Sequence, residues 1–357
     1  MMKIDCDSHY WPIDFLERVD HPGKGRIERE DEATVSFYRD GELIQRFRST
    51  RWDLAQRKAA MDKEGFDAQV LLPDSLPFLY EINHSLGPRL ATAYNDHLAA
   101  AIAGEPRFIG ASWIYLPDMD AALAELQRAA ALGLRAVKLS GGFADEDLDG
   151  EALWPLYEAA EALDIPLLFH PIERAFEDQT GHPWLIGAQR DAGMRFLATT
   201  LGFPFTYMHS IARLIYSGAL DRFPKLRFAF LKGGAGWVPF LRDRLDRTAA
   251  HRAFRSHATK KGLKLQRRPS EYFDRLYVAA NADEPYLADL VRQWPEHRLV
   301  VGSGFDMPDI GATWPATVAG VMGQAGLDAQ DRDLILGGNA QRLFGLPPRL
   351  HLGAAKP

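Results

Sequence analysis

The 357-residue chain has a single cysteine, Cys6, so no disulfide can form within it. A lone thiol suits a reducing compartment, and a cytoplasmic location is expected. Basic excess is missing as well. Lys and Arg total 42 against 48 Asp and Glu, for a formal net charge of −6. With no basic stripe, nucleic acid and anionic membrane are poor partners. No apolar run approaches the about 20 residues that span a bilayer. The opening MMKIDCDSHYWP reaches acidic residues at once, so no signal peptide is expected. Repeats, low-complexity segments and Pro/Ser-rich linkers are also lacking, and one domain over 1–357 is the expectation. No Gly-rich phosphate loop follows the first apolar run, which argues against the runner-up architecture, a doubly wound open sheet.

What the chain does have is alternation. Eight short apolar runs recur: Lys3–Asp7, Ala68–Leu72, Phe108–Tyr115, Ala136–Leu139, Pro166–Phe169, Leu226–Leu231, Leu276–Ala280 and Leu299–Val301. Helical patterns separate them. In DMDAALAELQRAAALG the apolar residues return every three to four positions, after an acidic first turn and before Gly133. Continuous apolar strands alternating with helices imply a parallel sheet buried on both faces. Eight such units in a chain of this length predict a (β/α)8 TIM barrel. Two stretches fall outside the units. Residues 16–50 read as a hairpin or excursion after strand one, and residues 173–206 as an insertion after strand five. Both would lie over the C-terminal mouth, where such barrels build their sites.

The strand ends carry the chemistry. The first run ends in Asp7-Ser8-His9. Residues two apart on a strand share a face, so Asp7 and His9 can converge in the barrel mouth. The fifth run ends in His170-Pro171, a third ligand-type group across the mouth. A carboxylate with two imidazoles suits Zn2+, Mn2+ or Fe2+. Any one of these residues alone reads more simply as a polar strand cap; together they read as a metal site. Cys6, between Asp5 and Asp7, is expected to face the helical layer and stay inert.

In this order, the motifs DSHYWP, IPLLFHP, GALDRFPKLRFAFLKGGAGWVP, GFDMP and GGNAQRLFGL resemble the amidohydrolase superfamily. The likeness is to its amidohydrolase-related branch, which includes aminocarboxymuconate-semialdehyde and resorcylate-type decarboxylases. The resemblance implies metal ligands at Asp7, His9 and His170 and at an aspartate after strand eight. It implies one divalent ion, Zn2+ first, with Mn2+ or Fe2+ as alternatives. The usual acid/base after strand six falls on Lys232, where relatives carry His or Glu. That departure opens several roles for Lys232: a general base, a cation replacing metal charge in an empty site, or a contact for a substrate carboxylate. Lys138, at the end of strand four, matches a position that is carboxylated elsewhere in the superfamily. Its plainer reading is a barrel lysine paired with an acid.

The strand-eight aspartate has two candidate places. Gly304-Phe305-Asp306-Met307-Pro308 fits the Gly-x-Asp-x-Pro pattern and points to Asp306; counting from Gly302 points to Gly304 instead. The first register is favoured, with Asp306 both ligand and catalytic base. Trp11 and His209 are candidate substrate contacts, each with a structural alternative in packing or at a helix start. Two functions follow. One is a metal-dependent hydrolase of an amide, ester or thioester, or a non-oxidative decarboxylase, acting on a small carboxylated or cyclic substrate; an iron-dependent oxygenase is the minor variant. The other is a barrel without metal that serves as partner subunit of an active paralogue. A homodimer or a hetero-oligomer with a paralogue is expected.

Overall fold

A computed structural model of the chain describes residues 1–16, 26–39, 41–74, 85–140, 148–171, 197–260, 265–305 and 316–347. All eight apolar runs are strands of one parallel sheet. They are β1 (Ile4–Tyr10), β5 (Ala68–Pro73), β6 (Phe108–Ser112), β7 (Ala136–Ser140), β8 (Leu167–His170), β9 (Phe228–Phe230), β10 (Leu276–Ala280) and β11 (Leu299–Val301), in that spatial order. The sheet closes on itself. Past β11, Phe305 bridges Ser8 in parallel, Gly304 N–H donates to Asp7 O at 3.0 Å and His9 N–H donates to Phe305 O at 3.2 Å. The fold is therefore the expected (β/α)8 barrel.

The helix that the sequence pattern marks in DMDAALAELQRAAALG forms, and some helix starts carry side-chain caps. Asp118 accepts from Ala121 N–H to start the helix Met119–Ala131, and Asp53 accepts from Ala55 and Gln56 N–H to start Leu54–Glu64. The second helix stops at Gly65, whose φ of +84° is left-handed. Among the described residues, no helix is long and apolar enough to cross a membrane.

Two apolar clusters separate along the strands. One takes inward residues from every barrel strand, including Ile4, Cys6, Val70, Ala111, Ala136, Leu168, Ala229, Ala279 and Val300. The other joins the outward residues, such as Leu71, Val137, Phe169 and Val278, to the helical layer. Cys6 thus lies inside the barrel, which corrects the expectation that it faces the helices. The reason is a β-bulge. Asp5 pairs with Gln69 but Ser8 pairs with Leu71, so β1 carries one residue more than β5 over this stretch. A bulge shifts the face that each later residue presents.

After β1, residues Arg26–Arg29, Thr34–Arg39 and Glu42–Arg48 form β2, β3 and β4, a separate antiparallel sheet. Its apolar side chains Val35, Phe37 and Phe47 are buried, and the two phenylalanine rings lie against Trp11. Most of the expected insertion after strand five, residues 172–196, lies outside the described residues.

Candidate metal centre

The bulge brings Asp7 and His9 to the inner face at the C-terminal end of β1. His170 ends β8 and faces them. One ligand atom from each of Asp7, His9 and His170 lies within 4.8 Å of the others, and all three residues are buried. His170 Nε2 stands 3.6 Å from Asp7 Oδ1, and the two imidazole rings meet edge to face at 4.9 Å. Asp7 Oδ1, His9 Nδ1 and His170 Nε2 are buried with no hydrogen-bond partner. Buried polar atoms are rarely left so. Three of them aimed at one point are what a cation would satisfy.

The protonation states fit. His170 Nδ1 lies 2.9 Å from Pro171 O. A carbonyl only accepts, so Nδ1 holds the proton and Nε2 turns its lone pair inward. Burial, with nearby cations, pulls both His9 and His170 well below the usual imidazole value; both are neutral, the form that binds metal. Burial pushes the Asp7 carboxyl up to about 6, against the pull of the Lys232 cation.

Two lysines border the site. Lys138 is buried on β7, on the inward register with Ala136 and opposite Leu168. Burial brings its pKa down to about 8, opposed by the charges of Asp74 and Asp7. Lys232 follows β9 with a φ of +64°, in the left-handed region. Side chains there strain the backbone by about 1–2 kcal/mol. The loop around it is held firmly. Tyr207 O–H reaches Leu231 O and Phe169 O at 2.6 and 3.0 Å, and its ring leaves no room for a Cβ at Gly233. Glu284 accepts from Ala235 and Gly236 N–H, and Trp237 Nε1 donates to Gly234 O.

The remaining expected site residues stand apart from this triad. Trp11 is fully buried, packed on Phe47, and its Nε1 donates to Asp74 Oδ2 at 2.9 Å. The same oxygen accepts from the buried Arg51 at 2.6 Å. Trp11 therefore holds an internal ion pair in place. His209 is half-buried in the middle of the helix Phe203–Tyr216, not at its start. Asp306 lies outside the described residues. Gly304, the competing place, has a φ of +63°, a backbone that suits glycine and disfavours a ligand side chain. Sequence reading missed Asp5, Gln69, Arg57 and Ser303, because their roles depend on the bulge.

Comparison with known proteins decides the family. The model of the family described as Amidohydrolase matches residues 4–346. The chain belongs to the amidohydrolase family. Within that family it is 25% identical to 2-amino-3-carboxymuconate-6-semialdehyde decarboxylase of Dictyostelium discoideum, over 98% of this chain and 94% of the relative. It is 27% identical to gamma-resorcylate decarboxylase of a Polaromonas species, over 84% of this chain and 90% of the relative. The amidohydrolase barrel also superposes on 5-carboxyvanillate decarboxylase of Novosphingobium aromaticivorans, solved with bound manganese, with a TM-score of 0.73, 22% identity and 97% of each chain covered. These findings favour the enzyme reading of this amidohydrolase over the metal-free partner subunit.

Proposed function

We propose that this amidohydrolase is a metal-dependent, non-oxidative decarboxylase of a small carboxylated aromatic acid. The observation that carries the reading is the convergence of three unpartnered buried donor atoms, from Asp7, His9 and His170, beside the cationic Lys138 and Lys232. The decarboxylase names of its relatives support decarboxylation over hydrolysis. One carboxylate and two imidazoles suit Zn2+ and Mn2+ alike. The manganese bound to the carboxyvanillate enzyme makes Mn2+ the better probe.

Asp7, His9 and His170 would hold the ion, with Asp306 as the strand-eight carboxylate. When bound, the ion supplies Lewis-acid polarisation of a substrate oxygen. Lys232 and Lys138 attract the substrate carboxylate and steer it toward the triad. Asp306 moves the proton: as a carboxylate it takes one from water in the site and hands it to the ring carbon that bears the carboxylate. The bond from that carbon to the carboxylate then breaks, CO2 leaves, and its electron pair restores the ring. What supports Asp306 over Gly304 is the left-handed backbone at Gly304.

The test is to load the protein with Mn2+ and follow CO2 release from a panel of hydroxybenzoates, 2,6-dihydroxybenzoate among them. Release should require metal and stop with a chelator. Asp306→Ala should lower kcat by ~10²–10⁴-fold, the usual worth of a positioned proton-transfer group, and Asp306→Asn should lose nearly as much. A protein that binds metal stoichiometrically yet releases no CO2 from any carboxylated aromatic would remove the decarboxylase reading and leave the metal centre standing.

A further inference from the structure

In a regular strand, Asp5, Asp7 and His9 would share one face. Here Asp7 and His9 point into the barrel while Asp5 points out toward the helix Leu54–Glu64. The bulge separates them, and the buried polar groups behind β1 account for how it is held. Asp7 N–H donates to Asp5 Oδ1 at 3.1 Å. That oxygen also accepts from Ser303 N–H at 2.8 Å, and Oδ2 accepts from Ser303 O–H at 2.5 Å and from Gln69 Nε2 at 2.7 Å. All four partners donate, so both Asp5 oxygens act as acceptors.

The chain of contacts continues on both sides. Arg57 donates to Gln69 Oε1 at 3.0 Å and to His9 O at 2.5 Å. Ser303 Oγ accepts from Phe305 N–H at 3.1 Å. Asp5, Gln69, Arg57 and Ser303 are all completely buried. The network therefore grips the backbone of two of the metal-competent residues, at Asp7 N and His9 O. It also grips the segment after β11 that closes the barrel against them. None of its side chains reaches the inner face.

We propose that Asp5, Gln69, Arg57 and Ser303 form a clamp behind β1 that sets the position of Asp7 and His9 and so tunes metal affinity. These are positioning residues: they act only through the ligand-bearing backbone. The proposal rests on the metal-site reading above, and the experiment separates the two. Mn2+ is titrated into metal-free protein by calorimetry, and the spin-resonance spectrum of bound Mn2+ reports the symmetry of its surroundings. Asp5→Asn places an amide donor against N–H and O–H donors; it should weaken Mn2+ binding by about 10–100-fold, the usual effect of losing an outer partner of a ligand. Its Mn2+ spectrum should broaden. Ser303→Ala should weaken binding in the same direction by less, and Ser303→Thr, which keeps the hydroxyl, should restore the parent value. Ser303→Ala removes one side-chain hydroxyl and decides the matter should Asp5→Asn fail to fold. Variants that melt cooperatively and bind Mn2+ as the parent does, with the parent spectrum, overturn the clamp alone. A parent protein that takes up no Mn2+ overturns the metal centre and the clamp with it.

Discussion

Lys138 sets a pH dependence that can be read directly. Its ordinary value is 10.5, and burial lowers it to about 8 in the folded barrel. Between these values the unfolded chain still binds a proton that the folded chain has released. Stability therefore rises with pH across that window and falls as pH drops through 8. A shift of this size corresponds to roughly 3 kcal/mol. In metal-free protein, the unfolding free energy of the parent relative to Lys138→Met should climb by about that amount from pH 8 to 10.5. Denaturant titrations at several pH values would measure it, and a flat difference would show that Lys138 is not buried as a cation. Lys232 makes the opposite bargain between stability and function. Lys232→Gly relaxes a left-handed backbone and should stabilise the protein by about 1 kcal/mol. The same change should raise KM for a carboxylated substrate, because the cation is gone. Equal KM values in parent and variant would take Lys232 out of the substrate site.

Among the elements, the contact of β11 with β1 matters most. Gly302 follows β11, and a Cβ there would sit inside van der Waals contact with Asp7 Cβ. The backbone approach is possible only because position 302 has no side chain. Gly302→Ala should push Asp7 from its place beside His170. Overpacking of this kind typically costs about 1–3 kcal/mol, seen as a lower melting temperature, and bound metal after dialysis should fall as well. A variant that melts lower yet retains full metal content would show that Asp7 shifts without loss of the site. The small sheet β2–β4 has a related structural part. By burying Trp11 it keeps the Trp11 N–H and Arg51 directed at Asp74, so that a charge close to Lys138 stays fixed.

For the whole molecule, a bound metal would link directly to fold stability. Three buried donor atoms without partners are a burden on the metal-free barrel. An ion that binds only the folded state stabilises it by RT ln(1 + [L]/Kd), or about 2.7 kcal/mol at a hundredfold excess over Kd. Adding Mn2+ to chelated protein should therefore raise its melting temperature in a concentration-dependent way. His170→Ala should abolish that dependence while leaving the barrel folded. A melting temperature indifferent to Mn2+ in the parent would argue that the triad holds no ion.

Much was legible in the residues alone. The eight strands could be read because a parallel strand buried on both faces is mostly apolar, with Asp5, Gln69 and Lys138 among the buried polar exceptions. The meeting of Asp7, His9 and His170 followed from their places at strand ends, which a barrel gathers at one mouth. The helix start at Asp118 was local chemistry, a side-chain oxygen accepting a free N–H group of the first turn. What only the tertiary structure decided rests on contacts far apart in the chain. The bulge in β1 shows only against its partner strand, so the inward turn of Cys6 and the outward turn of Asp5 could not be read from spacing. Ser303 is 298 residues from Asp5, and no local pattern joins them. Trp11 was open to reading as a substrate contact or as packing until β3 and β4 covered it. Residue type and period determine which face a side chain prefers; register across strands and the packing of an added sheet determine which face it obtains.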